Sequence, residues 1–457
     1  MIRTRFAPSP TGDPHIGNIR SALFAYLFAK KNGGEFLLRI EDTDRERHDE
    51  KSIEVIKEAL SWLGVTPENL DNPMIQSTRL EIYKKAALKL VDEKKAYVCN
   101  CSKERLEKVR EEQKAKKLQP MYDKHCRDLK LPFEDNCVIR MKIPEGKKIT
   151  LDDLVRGKVK FDSSTIDDQI ILKSDGFPTY HLAHVIDDNE MKITHVIRAE
   201  EWLPSTPKHI LLNKMLGFKA PEYAHLPVIL SPTHGKLSKR DGAVGILEYR
   251  KMGYLPEALV NFMALLGWNP KTNEEFFPLK ELAGKFDLEQ VNKAPAVFDI
   301  NKLDHFNQYY LKLKTNNSNV LKSWGLDEVS ASELELIGRG GFKTLQEMAD
   351  YIKKLRKEPE YQGELLIFKK SDKQKTKQGL EKASEELQKL NDWSEEKLQT
   401  TLEQVVSENN LTNGDVFWPV RVALSGEEKS PSPVELLLAL DKDKSLKRIN
   451  EALKLLK

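Results

Sequence analysis

Two short segments combine glycine, histidine and lysine in patterns that suit phosphate binding. The first, residues 8–18, reads PSPTGDPHIGN and places His15 and Gly17 at a helix start, directly after a strand. Free backbone N–H groups and the helix dipole favour an anion there, and Gly17 lacks the Cβ that would keep a nucleotide away. His15 could donate a hydrogen bond as charge develops on a phosphate. Taken alone, the segment is also explained by a proline-rich loop before a helix that His15 caps.

The second segment, residues 235–242, reads GKLSKRDG and is a basic loop between glycines. Such a loop can close over a triphosphate. Lys239 would neutralise the β and γ phosphates and stabilise departing pyrophosphate, while the glycines absorb the closing movement. By itself, a basic surface turn accounts for this segment as well.

The four cysteines lie between Cys99 and Cys137 in a chain of 457 residues, which is a poor basis for a disulfide framework. Their clustering fits metal ligation better. Cys137 begins an apolar strand and is predicted to be a core residue.

Apolar periodicity predicts the elements that carry these residues. A strand at 4–7 and a helix from about residue 15 to the glycines at 33–34 are followed by an apolar strand at 36–40, which is typical of an α/β nucleotide fold. Residues 102–130 hold ten Lys or Arg against six Asp or Glu and read as an insertion. Strand-like alternation returns at 138–143 and 169–173, and the pattern after about residue 255 is almost wholly helical.

Composition sets limits on the kind of protein. The length predicts about three domains. The 74 Lys and Arg against 71 Asp and Glu give a net charge of +3, which by itself does not indicate a polyanionic partner. No stretch approaches the ~18 apolar residues of a membrane span. The N-terminus carries Arg3, Arg5 and Asp13 where a signal peptide would be apolar, so we expect a cytoplasmic protein.

The two phosphate-type segments together resemble the signatures of class I aminoacyl-tRNA synthetases, HIGH and KMSKS. Here the first reads HIGN, with Asn18 in place of the second histidine, and the second reads KLSKR, with Leu237 and Arg240 as departures. At both motifs the departing residues are similar to those found in the glutamyl enzymes. Glutaminyl enzymes usually keep the second histidine, so Asn18 favours glutamate.

The resemblance to bacterial-type glutamyl-tRNA synthetases extends through three further motifs. These are RIEDTD at 39–44, GFPTYHLA at 176–183 and RAEEWL at 198–203. The similarity is dense up to about residue 310 and thins beyond it.

This resemblance implies roles for individual residues. The implied catalytic residues are His15, Lys236 and Lys239. Glutamate would be bound by Arg5, Ala7, Ser9, Glu41, Tyr180, His184 and Arg198. In that set the arginines would contact the carboxylates of glutamate, and Glu41 would contact its ammonium group. His184 occupies a position where the family usually has asparagine. ATP would be bound by Pro8, His15, Gly17, Asn18, Glu201, Trp202 and Lys239.

The resemblance also implies a structural zinc ion and RNA contacts. Cys99, Cys101 and Cys126 with Tyr122 resemble the zinc site of some glutamyl enzymes, and His125 or Asp128 is an alternative fourth ligand. The basic segments 103–130 and 369–377 are candidates for RNA contact, at the acceptor end and the anticodon respectively.

The implied fold is α/β: a Rossmann-like class I synthetase core with an inserted acceptor-binding domain, followed by all-helical stem-contact and anticodon-binding domains. The expected boundaries are 1–98 and 169–235 for the two halves of the core and 99–168 for the insertion with the zinc site. The KLSKR loop and stem-contact domain would span 236–315, and the anticodon-binding region 316–457.

The expected substrates and partners are L-glutamate, ATP with Mg²⁺ and tRNA(Glu), and the expected state is a monomer. Whether tRNA(Gln) is also charged stays open. Three alternatives remain: a truncated paralogue that glutamylates a modified base, which lacks a helical C-terminal third; a glutaminyl enzyme; and a non-catalytic RNA-binding module. Intact His15, Lys239, Arg5 and Glu41 argue against the last.

Overall fold

The computed structural model describes residues 1–44, 49–235, 244–314, 318–326, 329–339 and 341–456. The chain forms two compact units. The first consists of residues 1–250 and 256–303, and the second of residues 251–255 and 304–457.

Twelve short strands occur among the described residues, all in the first unit. They are β1 (Arg3–Phe6), β2 (Glu35–Ile40), β3 (Met74–Ile75), β4 (Ala96–Cys99), β5 (Val138–Met141), β6 (Lys148–Asp153), β7 (Gly157–Asp162), β8 (Ile170–Leu172), β9 (His195–Ala199), β10 (Glu222–Leu226), β11 (Ile229–Leu230) and β12 (Ala296–Val297).

The helices that begin in the first unit lie between and after these strands. They are α1 (Ile16–Lys31), α2 (Glu50–Trp62), α3 (Leu80–Asp92), α4 (Lys103–Ala115), α5 (Tyr180–Glu190), α6 (Thr206–Leu216), α7 (Ile246–Lys251), α8 (Pro256–Leu265), α9 (Leu279–Lys285) and α10 (Ile300–Lys314). Helices α7 and α10 end in the second unit.

The described part of the second unit is helical, as the sequence predicts. Its remaining helices are α11 (Ser318–Lys322), α12 (Ala331–Arg339), α13 (Leu345–Arg356), α14 (Lys373–Lys389), α15 (Glu395–Glu408), α16 (Asn413–Ser425), α17 (Pro433–Leu440) and α18 (Lys442–Lys454). No helix in the described part of the chain has both the length and the apolar character needed to cross a membrane.

Two sheets form the framework of the first unit. Strands β1, β2 and β3 pair in parallel in that order, and a second sheet has the order β7-β6-β10-β9. In the second sheet β9, β10 and β6 are parallel and β7 is antiparallel to β6. The N–H of Thr194, just before β9, donates to the carbonyl of Arg3 in β1 (2.9 Å) and joins the two sheets.

The N-terminal elements agree with the predicted pattern to within a residue or two. Helix α1 packs Ile16, Ile19, Leu23 and Leu27 completely out of solvent. Strands β4, β5 and β8 make an antiparallel sheet, of which only β5 lies wholly within the predicted insertion at 99–168. Helix α4 buries none of its side chains completely, because it has few apolar residues, and Leu106 and Val109 are only partly buried.

The turn between α1 and β2 depends on the absence of a side chain at Gly34. A Cβ there would overlap the carbonyl oxygen of Ile2. We therefore expect Gly34→Ala to lower the free energy of unfolding by about 1–3 kcal/mol, through displacement of β1 from β2. Gly284→Ala in α9 is the matched control, since no atom lies within 4 Å of its added Cβ. The measurement is urea unfolding of the full chain by circular dichroism; equal stability of the two variants contradicts this account.

Candidate active site

Three buried arginines mark a pocket in the first unit. Arg5, Arg39 and Arg198 are each the last residue but one of their strands, β1, β2 and β9. Their exposed fractions are only 4%, 0% and 6%. Burying a guanidinium group is costly unless its N–H groups find acceptors. The acceptors therefore define the site.

The carboxylate of Asp188, on α5, accepts from two of the arginines through one oxygen. Its Oδ1 lies 3.0 Å from Nε of Arg5 and 2.6 Å from Nη1 of Arg39. Burial alone would raise the pKa of Asp188, but Arg5 and Arg39 together hold it below its ordinary value. Asp188 is therefore ionised and fixes both guanidinium groups.

Glu41 follows β2 and is held by the same arginine. Arg39 donates to Oε1 of Glu41 from Nη2 (2.8 Å) and from Nε (3.2 Å). No residue in the described ranges donates to Oε2, so that oxygen is open to a ligand. Burial raises the pKa of Glu41, while Arg39 opposes the rise. A ligand ammonium would favour the ionised form further.

Arg198 is surrounded by neutral partners. It donates to the hydroxyl of Tyr180 (3.0 Å), to Nε2 of His225 (3.1 Å) and to the hydroxyl of Thr206 (2.9 Å). His225 is held in turn by a hydrogen bond between its Nδ1 and Oδ2 of Asp153 (2.6 Å). The Arg198 guanidinium is thus fixed in place while its charge is not cancelled by direct contact with a carboxylate.

N–H groups on two guanidinium nitrogens remain for a ligand carboxylate. Among the described residues, none accepts from Nη1 of Arg5, and Nη1 of Arg198 uses only one of its two hydrogens, toward Tyr180. The ring of Tyr180 packs against that of half-exposed Trp202, with centroids 4.5 Å apart. The pocket therefore offers guanidinium donors and one carboxylate acceptor, the Glu41 oxygen.

The start of α1 carries the residues for which the sequence predicts a phosphate site. His15 caps the helix: its Nδ1 accepts from the N–H of Gly17 (3.1 Å), and Asn18 Oδ1 accepts from the His15 N–H (3.3 Å). Because Nδ1 is an acceptor, the neutral ring carries its proton on Nε2. A Cβ on Gly17 would come within 3.0 Å of the His15 ring, so this glycine preserves the position of His15.

Of the basic loop at 235–242, only Gly235 belongs to the described residues. Lys236 and Lys239 lie outside the described residues. The chain that leaves the loop returns beside the helix start, because Gly245 forms a bridge with His15 and Ile246 donates to the carbonyl of Pro14 (2.9 Å). One end of the loop is thus next to the predicted phosphate site.

The remaining predicted pocket residues lie on the segments that follow β1 and β9. Ala7 and Pro8 are half-buried and Ser9 is exposed after β1. The N–H of Glu41 donates to the carbonyl of Pro8 (3.0 Å), which ties this segment to β2. Glu201 is exposed in the 3-10 turn Glu200–Ser205.

The structure brings three of the four cysteines together. The Sγ atoms of Cys99, Cys101 and Cys126 all lie within 4.8 Å of one another. The hydroxyl of Tyr122 is 3.4 Å from two of them, those of Cys99 and Cys101, and accepts the N–H of Cys126 (2.9 Å). Three thiols and a phenol oxygen at this spacing are a donor set that fits zinc.

Neither alternative fourth ligand joins this cluster. Asp128 is exposed and its carboxylate pairs with Lys142 (2.9 Å). His125 is also exposed, and the metal-ligand group found among the described residues contains the three cysteines alone. Cys137 is buried apart from that group, as expected for a core residue.

Sequence reasoning missed several residues that organise the pocket. Arg39 lies inside a quoted motif without an assigned role. Asp188 is four residues after His184 on one helix face, a spacing that could have revealed it. His209 and His225 reach the pocket from distant segments and leave no local signal.

Comparison with known proteins agrees with this geometry. Residues 1–305 match the family described as tRNA synthetases class I (E and Q), catalytic domain, and residues 308–453 match an anticodon binding domain. The chain therefore belongs to the class I tRNA synthetases of the E and Q type. This confirms the resemblance stated from the sequence and the α/β fold class with a helical C-terminal region.

Individual relatives cover almost the whole chain. A protein of Dehalococcoides mccartyi named glutamate--tRNA ligase is 44% identical over 474 residues, covering 99% of this chain and 98% of its own. A relative of the same name from Alkaliphilus metalliredigens is 40% identical, with 98% of each covered. The crystal structure of a glutamate tRNA ligase from Elizabethkingia meningosepticum in complex with its amino acid has 36% identity, 100% coverage of both chains and a TM-score of 0.88.

Proposed function

We propose that this chain attaches L-glutamate to tRNA(Glu) in an ATP-dependent reaction that passes through glutamyl-adenylate and releases AMP and diphosphate. The observation that carries the proposal is the pairing of unused guanidinium donors on Arg5 and Arg198 with an open carboxylate oxygen on Glu41. Glutamate presents the complementary groups, which are two carboxylates and one ammonium.

Charge balance selects glutamate over glutamine. The three buried guanidinium groups contact two carboxylates, those of Glu41 and Asp188, which leaves one positive charge in the pocket. Bound glutamate carries one net negative charge and compensates it. Glutamine has the same shape but no net charge, so it would leave one guanidinium group without an anionic partner.

Catalysis would then depend on the positioning of glutamate against ATP and on stabilisation of the charge on the phosphates. The α-carboxylate of glutamate attacks the α-phosphate of ATP, which is a substrate bound with Mg²⁺, and diphosphate leaves. His15, with its proton on Nε2, would donate to the α-phosphate, and Lys236 and Lys239 would neutralise the departing phosphates. The terminal ribose hydroxyl of tRNA then attacks the acyl carbon. No side-chain nucleophile is needed.

The ATP site would lie beside the glutamate pocket. We assign the phosphates to Pro8, His15, Gly17 and Asn18, at the start of α1. Glu201 and Trp202 would hold the nucleoside, which is consistent with the exposed indole of Trp202. Ala7 and Ser9 would contact glutamate through the segment after β1.

The RNA partner would be bound by both units. The basic segment 103–130, which includes the exposed helix α4, would meet the acceptor end, and the segment 369–377 would meet the anticodon. The five-part domain division given above stays a prediction. So do the monomeric state, the cytoplasmic location and the possible charging of tRNA(Gln).

A structural zinc ion would hold the insertion. Cys99, Cys101 and Cys126 would be ligands, with Tyr122 as the fourth because its hydroxyl lies against two of the thiols. When bound, zinc would supply a cross-link between β4 and the loop that carries Cys126, not catalysis.

The amino-acid preference tests the pocket. We expect wild-type aminoacylation of tRNA(Glu) to prefer glutamate over glutamine by roughly thirtyfold to several thousandfold, because losing a charged hydrogen bond costs about 2–5 kcal/mol. Arg5→Ala and Arg198→Ala should each reduce this preference. Arg3→Ala is the control, since Arg3 pairs with Glu35 outside the pocket. Equal use of both amino acids by the wild type would overturn the proposed function.

Metal content tests the cysteine cluster. Freshly purified protein should contain about one zinc per chain, and Cys99→Ser with Cys101→Ser should lose it, because two thiolate ligands are removed. Cys137→Ser, outside the cluster, should keep the metal. Absence of zinc from the wild type, measured by plasma mass spectrometry, removes this assignment.

A further inference from the structure

His184 lies between the arginines of the pocket and Asp188. Its Nδ1 is 3.4 Å from Nη2 of Arg5 and 3.5 Å from Nη2 of Arg39, and the side chain is 1% exposed. On the other edge of the ring, Nε2 is 3.3 Å from Oδ2 of Asp188. The two residues share one face of α5, at positions i and i+4.

The protonation of this ring follows from its neighbours. Guanidinium groups only donate, so Nδ1, which faces two of them, must carry the lone pair, and the proton belongs on Nε2. Neither Nε2 nor Oδ2 of Asp188 has a hydrogen-bond partner among the described residues, so their 3.3 Å approach is not a hydrogen bond. Burial and then Arg5, Arg198 and Arg39 lower the pKa of His184 far below its ordinary value. The ring is therefore a neutral acceptor at physiological pH.

Neutral histidine acceptors also contact Arg198. Nδ1 of His209 is 3.4 Å from Nη2 of Arg198, and Nε2 of His225 is 3.1 Å from its Nε. The rings of His184 and His209 pack together with centroids 4.5 Å apart and an angle of 34° between their planes. Imidazole nitrogens thus take the arginine N–H groups that face away from the ligand.

A neutral hydrogen-bond acceptor affects a buried guanidinium group differently from a carboxylate. It satisfies the hydrogen bonds of a buried guanidinium group and fixes its orientation, yet it leaves the positive charge in place. A carboxylate at the same position would cancel the charge that the amino acid must compensate.

We propose that His184 is a positioning and specificity-determining residue: as a neutral acceptor it turns Arg5 so that Nη1 faces the amino acid, and it preserves the net positive charge that selects an anionic side chain. The proposal rests on the glutamate-ligase function given above. It concerns the kind of acceptor at this position, and not the reaction itself.

Three substitutions of His184 separate the effect of a hydrogen-bond acceptor from the effect of a negative charge at this position. His184→Asn keeps a neutral acceptor, His184→Asp supplies a charged one, and His184→Leu supplies none. His195→Leu is the control, because His195 is a buried histidine at the start of β9 that contacts Phe28 and Thr194 outside the pocket. The measurements are KM and kcat for glutamate, glutamine and ATP in aminoacylation, with circular dichroism to verify folding.

We expect His184→Asn to keep the wild-type preference for glutamate over glutamine within about threefold. His184→Leu should raise KM for glutamate by about tenfold or more, because a buried guanidinium loses its acceptor, while KM for ATP is unchanged. His184→Asp should lower the glutamate preference by at least about tenfold, since it removes the uncompensated charge.

Two results would overturn the proposal. One is an Asp variant that keeps the full glutamate preference, and the other is an Asn variant that loses it as completely as the Asp variant does. The comparison of Asn with Asp holds even if the Leu variant does not fold. If wild-type protein fails to discriminate glutamate from glutamine at all, the proposed function fails instead.

Discussion

One carboxylate oxygen, Oδ1 of Asp188, is the constraint on which the pocket depends. It accepts from Arg5 and from Arg39, and Arg39 in turn holds Glu41. A single group on α5 therefore fixes Arg5 directly and Glu41 through Arg39. Breaking a buried charge network of this kind costs about 3–5 kcal/mol, because the remaining charges lose their partners.

The arginines also need acceptors that do not consume their charge. Histidines meet this need because burial beside cations keeps their rings neutral: the pKa of His184 and that of His209 are both lowered far below the ordinary value. In the same region, burial lowers the pKa of His181 to about 3, and its Nδ1 lies 3.0 Å from Nε2 of His209. Neutral imidazole rings thus lie around buried guanidinium groups and leave their positive charge in place.

Local sequence was sufficient for the N-terminal elements. The apolar spacing of α1 and its capping histidine predicted a helix that the structure begins at Ile16, and strand β2 differs from its prediction by one residue. Motifs also pointed to Arg5, Glu41 and Arg198, all of which are buried: Arg5 and Glu41 are joined through Asp188 and Arg39, and Arg198 has its own neutral partners. What the sequence could not supply was pairing across the chain: Arg5 and its partner Asp188 are 183 residues apart. Helix α5 is placed by packing against α3, α6 and β8, which no local pattern encodes.

A double-mutant cycle between Arg39 and Asp188 tests most directly whether these two groups act as one unit. Arg39→Gln, Asp188→Asn and the double variant would be compared by kcat/KM for glutamate in aminoacylation. If the pair holds the pocket as described, the double variant is no worse than the more damaged single variant, with a coupling of at least about 1.5 kcal/mol. Losses that simply add, to within about 0.5 kcal/mol, would contradict the account.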